Sequence, residues 1–421
     1  MQLKNVAQQS RWILIVTVGL ILSSCATYEY HATSSVPVSK VSKQEFEDAA
    51  EETLLDVGLT LFDPGVDIMD DVSAAYANVR ESEAVWFTGL LKSALDRSRA
   101  WGQVRALPTD EQISDVMVTG KIVDSSGEVL VMEVVATDAS GQIWFANQYS
   151  ERASAYSYNP EIDLQRDPFQ SLFNRIANDL FDHRATLDAD YLVALRHIAR
   201  VRFAQQFAPQ SFDGFLAQDD DGHYYLVRIP APDDPMLVRV EKIQARNALF
   251  LDVVQDYYRV FTKRMSSPYD EWRKLSYKEV VYERQLKKKA KHEKMAGVAV
   301  IVVGLLATQS NSRTSRLGGH FGVLQGAQLF RKGYLTEIDA SLHAEAVREL
   351  GESLEAELEP SVIDLQDRSV TLSGTVAEQY REWRRILTEM FEAEGALQRD
   401  STILPVDSAS AALDDLRPRK Q

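Results

Sequence analysis

The period of apolar and polar positions changes several times along the chain, and each change marks an element. Residues 55–62 alternate and predict a strand, closed by the turn Asp63-Pro64-Gly65. From 81 to 98 the spacing becomes helical, with Val85, Leu90, Leu91, Ala94 and Leu95 on one side and Glu83, Lys92 and Arg97 elsewhere. Residues 101–108 predict a short strand stopped by Pro108. Residues 115–123, 128–137 and 142–149 predict three more, separated by Asp124-Ser-Ser-Gly127 and Asp138-Ala-Ser-Gly141. Strand, helix, strand and then an antiparallel meander is an α+β order, with a helix on one sheet face.

Beyond 163 the pattern is mostly helical. Phe169, Leu172, Phe173, Ile176, Leu180 and Phe181 recur at helical spacing, and Asp167-Pro168 reads as an N-cap and a first-turn proline. A second helix spans 188–206, with Leu192, Leu195, Ile198, Ala199 and Phe203 apolar. The run Asp219-Asp220-Asp221-Gly222 precedes a strand at 223–229. It lacks the alternating ligands and distal Glu of a calcium loop and reads as an acidic turn.

The most regular stretch is 236–261. Met236, Val240, Ile243, Asn247, Phe250, Val254, Tyr257 and Phe261 alternate spacings of four and three, a heptad seam. Two readings stand: a core helix packed within its own chain, or a coiled coil between copies in which Asn247 fixes register. The helix is expected to resume after Pro268 and to end in the basic run 284–294.

The apolar stretch 295–307 and the Gly-rich stretch 318–327 then suggest a helical hairpin. Its small-residue faces carry Gly297, Gly304, Gly322 and Gly326. Burial in the protein, a seam with another chain, or membrane association would each use such faces. Near the end, 335–360 predicts a helix, 361–365 and 369–376 a strand pair, and 378–394 a helix whose apolar side holds Tyr380, Trp383, Ile386, Leu387, Met390 and Phe391.

Composition narrows the class. The 421 residues are 45% hydrophobic and 26% charged, ordinary for globular domains, with a net charge of −16. That charge argues against a nucleic-acid surface, so no nucleic-acid partner is expected.

The N-terminus decides the expected location. Lys4 and Arg11 form a basic head, 12–22 is almost wholly apolar, and Leu22-Ser23-Ser24-Cys25 follows. This is the order of a secretory signal, short for a membrane span. Leu22-Ser23-Ser24-Cys25 resembles the lipobox of bacterial lipoproteins, which implies lipidation of Cys25, the chain's one cysteine. More than one acyl chain anchors stably. Ala26, where Asp would imply retention in the inner membrane, implies the outer membrane.

Two weaker resemblances lie in the body. The strand near 57–62, the helix 81–98, Trp101-Gly102 and the strand from Asp115 to Gly120 resemble the small α/β domain of the curli-secretion lipoprotein, the Tol translocation protein and lipoprotein activators of peptidoglycan synthases. Residues 370–376 within a strand-strand-helix order resemble a BON domain. The expected organisation is therefore a signal (1–25), a tether (26–45), an α/β domain (46–160), a helical region with one short β segment (161–294), the hairpin (295–330), a BON-like domain (331–403) and a disordered tail (404–421).

No motif for catalysis stands out. Gly-x-Ser-x-Gly, His-Glu-x-x-His, the phosphate loop and the dinucleotide fingerprint are missing from the sequence, and His31, His183, His197, His223, His292, His320 and His343 never fall at metal-ligand spacing. Neither a cofactor nor a metal is expected, and Trp86, Trp101, Trp144, Trp272 and Trp383 are expected in cores. The sequence thus points to a non-catalytic, periplasm-facing lipoprotein of the outer membrane that binds or assembles in the cell envelope. Its partners would be the membrane, through Cys25, and an envelope protein or further copies of itself. The body's resemblances imply two alternatives: a regulator of a cell-wall enzyme, or a subunit of an oligomeric secretion pore.

Overall fold

The computed structural model describes residues 36–42, 45, 49–69, 77–159, 166–307, 361–365, 368–372 and 375–402. The fold is α+β. Its centre is a five-stranded sheet in the order β2-β1-β3-β4-β5. The strands are β1 (Val57–Thr60), β2 (Val104–Leu107), β3 (Val116–Ser125), β4 (Val129–Asp138) and β5 (Ile143–Arg152). β1 runs parallel to both β2 and β3, while β3, β4 and β5 form an antiparallel meander. Parallel neighbours need a crossover, and the helix α1 (Ala77–Ser98) supplies it between β1 and β2. The Asp63-Pro64-Gly65 turn closes β1 as expected: Gly65 is left-handed at φ 66° and donates its N–H to Asp63 Oδ1 at 2.8 Å.

Leu59, Val118, Met132 and Val134 are fully buried against Phe87, Leu91 and Leu95 of α1. The helix α2 (Gln170–Ala185) joins that core through Phe173, Ile176 and Leu180, with the Phe87 and Phe173 rings 5.5 Å apart. Periodicity alone had grouped α2 with the helical region after 160; in the structure it completes the sheet's core. Each such side chain contributes about 1.5–3 kcal/mol by leaving water. α3 (Ala189–Phe207) follows, capped by Asp188, which accepts from Tyr191 N at 2.7 Å. A small hairpin of β6 (Leu216–Gln218) and β7 (Tyr224–Leu226) leads into α4 (Pro235–Ala307). β8 (Ser361–Leu365), β9 (Arg368–Leu372) and α5 (Val376–Thr402) complete the described elements.

The heptad seam is built as spaced. Val240, Ile243, Asn247, Phe250, Val254 and Phe261 are all buried, with Met236 and Tyr257 half-buried at the margin. The element that covers the Asn247–Phe250 stretch is α5 of the same chain, not another copy. Phe250 stacks on Trp383 at 5.8 Å, Tyr380 lies at the same distance, and Arg239 sits over the Phe391 ring and donates to its carbonyl. The reading that placed the seam between copies is therefore corrected. Leu372 of β9 and the apolar side of α5 belong to the core built on α4.

Two local expectations also change. α4 does not stop at Pro268; the helix runs through it. A proline in a helix interior costs about 3 kcal/mol, because it removes a hydrogen bond and crowds the preceding turn. Met265 and Tyr269, fully buried on either side, and Trp272 tie the helix to the body across that point. Asp167 is not the side-chain cap of α2, whose N-cap is Phe169. Its carboxylate instead joins three elements. It accepts from Phe169 N at 2.8 Å, Trp86 Nε1 at 3.0 Å and Arg273 Nη1 at 2.7 Å.

Beside that hub, Glu83 accepts from Ser125 at 2.8 Å and from the Tyr269 hydroxyl at 2.6 Å, with Arg80 Nε at 3.4 Å. Burial pushes the Glu83 pKa up, against the pull of Arg80. Burial also opposes the charge on Arg273, but Asp167 and its other anionic neighbours outweigh this and raise its pKa. α1, the loop before α2, and α4 are thus joined by buried polar contacts as well as by packing.

Candidate functional site

A cleft of 880 Å³ opens where β1, β2 and β3 begin, walled by α3 and the first turns of α4. Its floor follows from the topology. Asp56, Gln103 and Asp115 each immediately precede a strand, and the parallel arrangement of β1 with β2 and β3 sets the three side by side. They are bonded in series: Asp115 Oδ2 accepts from Asp56 N at 2.8 Å, and Asp56 Oδ1 accepts from Gln103 N at 2.7 Å.

α3 brings Arg196, His197 and Arg200 to the cleft at helical spacing, and α4 brings Glu241 and Asn247. Arg196 donates to the carbonyls of Glu51 and Leu54, and its Nε lies 3.7 Å from Asp115 Oδ2. Arg200 pairs with Glu241, and Arg105 with Asp252 at 3.0 Å.

Burial drives the electrostatics. It pushes the Asp115 carboxyl up to about 6; the nearby Asp56 charge adds to this, while the Asp56 N–H and Arg196 oppose it. Burial and the Arg200 charge lower His197, which is therefore neutral at pH 7 and offers both a donor and an acceptor. Asn247 is only 2% exposed. Its amide donates to the Tyr380 hydroxyl, while its Oδ1, like the buried Oε1 of Gln112, meets no protein donor among the described residues. The cleft is lined by carboxylates, two of them fixed by backbone N–H groups, and by guanidinium groups paired with carboxylates and carbonyls.

Of the residues singled out in the sequence, Asn247 lines this cleft. Gly297 and Gly304 lie in the distal part of α4, described as helical backbone. Cys25, Gly322 and Gly326 lie outside the described residues, as do the second half of the Gly-rich hairpin and the helix expected before 360. No helix among the described residues is long and apolar enough to cross a membrane.

The Asp219-Asp220-Asp221-Gly222 segment is a tight turn, with Asp219 Oδ1 accepting from Asp221 N at 3.0 Å and His223 N at 2.8 Å. Asp219, Asp221 and His223 bring their ligand atoms within 4.8 Å of one another on the surface, but the turn's own hydrogen bonds account for the Asp219 carboxylate.

Asp56, Gln112, Asp115 and Arg196 escaped sequence reasoning. Each is an ordinary polar residue at a strand end, in a loop or on a helix face. The one available signal was an acidic residue directly before two strands, at 56 and 115. In comparisons with protein-family models, with characterised proteins and with solved structures, nothing matches this chain.

Proposed function

We propose that this chain is an exported lipoprotein, anchored in the outer membrane through Cys25 and facing the periplasm. Its body acts by binding and assembly in the cell envelope rather than by catalysis. The observation that carries the reading is Leu22-Ser23-Ser24-Cys25 behind a basic head and an apolar core, in a chain with no other cysteine. The cleft supports the binding part. Its arginines are held by carboxylates and backbone carbonyls, and Asp56 and Asp115 by backbone N–H groups, so the lining keeps its shape. The outer side of α4 supports the assembly part. Leu249, Val253 and Val260 are 66%, 47% and 39% exposed and fall on one face of the helix.

The test is metabolic labelling with an alkyne fatty acid, followed by membrane fractionation. Wild-type protein should carry the label and travel with the outer membrane, whereas Cys25→Ser should do neither. Equal labelling of the two would remove the anchor from the proposal.

A further inference from the structure

We propose that residues 36–42 are a strap. Bound along α2, they shorten the tether behind Cys25 and hold the body close to a lipid surface, with the N-terminal end of α2 toward it. The strap stands on its own contacts, and its consequence for the membrane rests on the anchor proposed above.

The contacts are those of a short strand laid on a helix. Val36 N donates to Ser171 Oγ at 3.3 Å, and the Val36 carbonyl accepts from Asn174 Nδ2 at 2.8 Å. One turn further along α2, Asn178 Nδ2 donates to the Pro37 carbonyl at 3.0 Å, and Asn178 Oδ1 accepts from Ser39 N at 2.7 Å. An amide side chain carries both a donor and an acceptor, so Asn178 answers the segment as a neighbouring strand would. Ser171, Asn174 and Asn178 stand three and four apart and share one face of α2. Asn174 is held ready: Arg97 Nη2 and Gln170 Nε2 both donate to its Oδ1, which leaves its Nδ2 for Val36. Val41 N then donates to the Ser98 carbonyl at the end of α1, at 2.9 Å. Val38 and Val41 pack against the sheet's core, while Pro37 and Lys40 are exposed. Part of the stretch expected as a free tether is therefore bound to the body.

Chain length turns this into a distance. Residues 26–35 separate Cys25 from Val36, and whatever their path they span at most about 40 Å. Without the strap, the first hold on the body among the described residues is the bond from Arg196 to the Glu51 carbonyl. The reach would then be about 90 Å. From Val36 to Ser39 the segment runs toward the C-terminal end of α2, so the tether leaves at the N-terminal end. That end is the one held nearest the lipid.

Two measurements on the full-length chain test the proposal. The first is the rate of trypsin cleavage after Lys40, read by mass spectrometry. The Lys40 side chain is exposed, but Ser39 N and Val41 N are both bonded to the body, so cleavage requires the strap to lift. Asn178→Ala should speed cleavage by roughly tenfold. So should Val38→Ser with Val41→Ser, a double variant that leaves α2 untouched. Cleavage as fast in wild type as in both variants would overturn the strap.

The second uses protein shown to carry the fatty-acid label, in vesicles of phosphatidylethanolamine and phosphatidylglycerol with an acceptor dye on the lipid. The donor dye is placed through Arg166→Cys, just before α2, or through Gln148→Cys. Gln148 is exposed on the sheet face turned away from α2, since its neighbour Tyr149 bonds Asp179 of that helix. Energy transfer should be stronger from position 166 than from position 148, and the double valine variant should close the gap. Equal transfer from the two positions, or a gap that the double variant leaves unchanged, would overturn the orientation. A Cys25 that carries no label would remove the anchor, while the trypsin rates would still decide the strap.

Discussion

Gln255 pairs with Ala106 as a neighbouring strand would. Ala106 N donates to Gln255 Oε1 at 2.8 Å, and Gln255 Nε2 donates to the Ala106 carbonyl at 2.7 Å. β2 is an edge of the sheet, and its outward backbone groups would otherwise need water or another strand. The long helix answers them with one side-chain amide. Arg105 and Asp252 make a second contact one residue earlier on the strand and one turn earlier on α4.

Gln255→Leu should therefore strand two backbone groups at once. A loss of about 1–3 kcal/mol is expected. Urea unfolding of the full chain measures it, and a change within error would show that water replaces the amide at no cost.

Arg273 and Asp167 form an ion pair whose side chains are only 2% and 4% exposed. Arg273→Met leaves the Asp167 carboxylate buried without its partner and should cost about 3–5 kcal/mol. Adding Asp167→Asn removes the orphaned charge, so the double variant should be more stable than the sum of the single losses predicts. A double-mutant cycle in urea gives the coupling; simple additivity would mean that the pair contributes nothing as a pair.

Gly127, at the β3–β4 turn, lies hard against α4. A Cβ there would fall 2.1 Å from the Arg273 carbonyl and 2.4 Å from Tyr277 N, both of them backbone atoms. Gly127→Ala should force the turn and the helix apart and lower the melting temperature. Gly89, inside α1, is the matched control: its added methyl would meet only Thr262 Cγ2, at 3.6 Å. Gly89→Ala should stabilise the protein by about 0.5–1 kcal/mol through helix propensity. Thermal melts of the two variants should move in opposite directions.

Asp115 gives a pH dependence of definite sign. Its folded pKa, about 6, lies above the ordinary value of 3.8, so the folded state holds the proton more tightly than the unfolded state. Its contribution is most favourable below pH 4 and is lost as pH rises through 6, by at most about 3 kcal/mol. Asp115→Asn removes this titration. The melting temperature of the variant, measured relative to wild type, should rise between pH 4 and pH 7. A difference that stays flat across that window would mean the carboxyl titrates normally.

Local periodicity determined much of this protein. β1 through β5, α1, α3 and the seam of α4 follow from spacing, because alternation and the three-and-four repeat record which side of an element leaves water. The turns at 63–65 and 138–141 follow from residue type. The proposed anchor at Leu22-Ser23-Ser24-Cys25 is likewise a reading of sequence alone, since such a signal is linear.

What spacing could not tell was which surface meets which. An apolar seam is equally content against a second copy or against a distant part of its own chain. Only the packed structure shows Phe250 stacked on Trp383, and Asn247 bonded to Tyr380, more than a hundred residues away. The same holds for Pro268, whose local preference is outweighed by the burial of Met265 and Tyr269 around it. It holds most of all for the cleft. Asp56 lies 47 and 59 residues from Gln103 and Asp115, and no motif marks any of the three. The parallel placement of β1 between β2 and β3 brings them together, and two helices close around them.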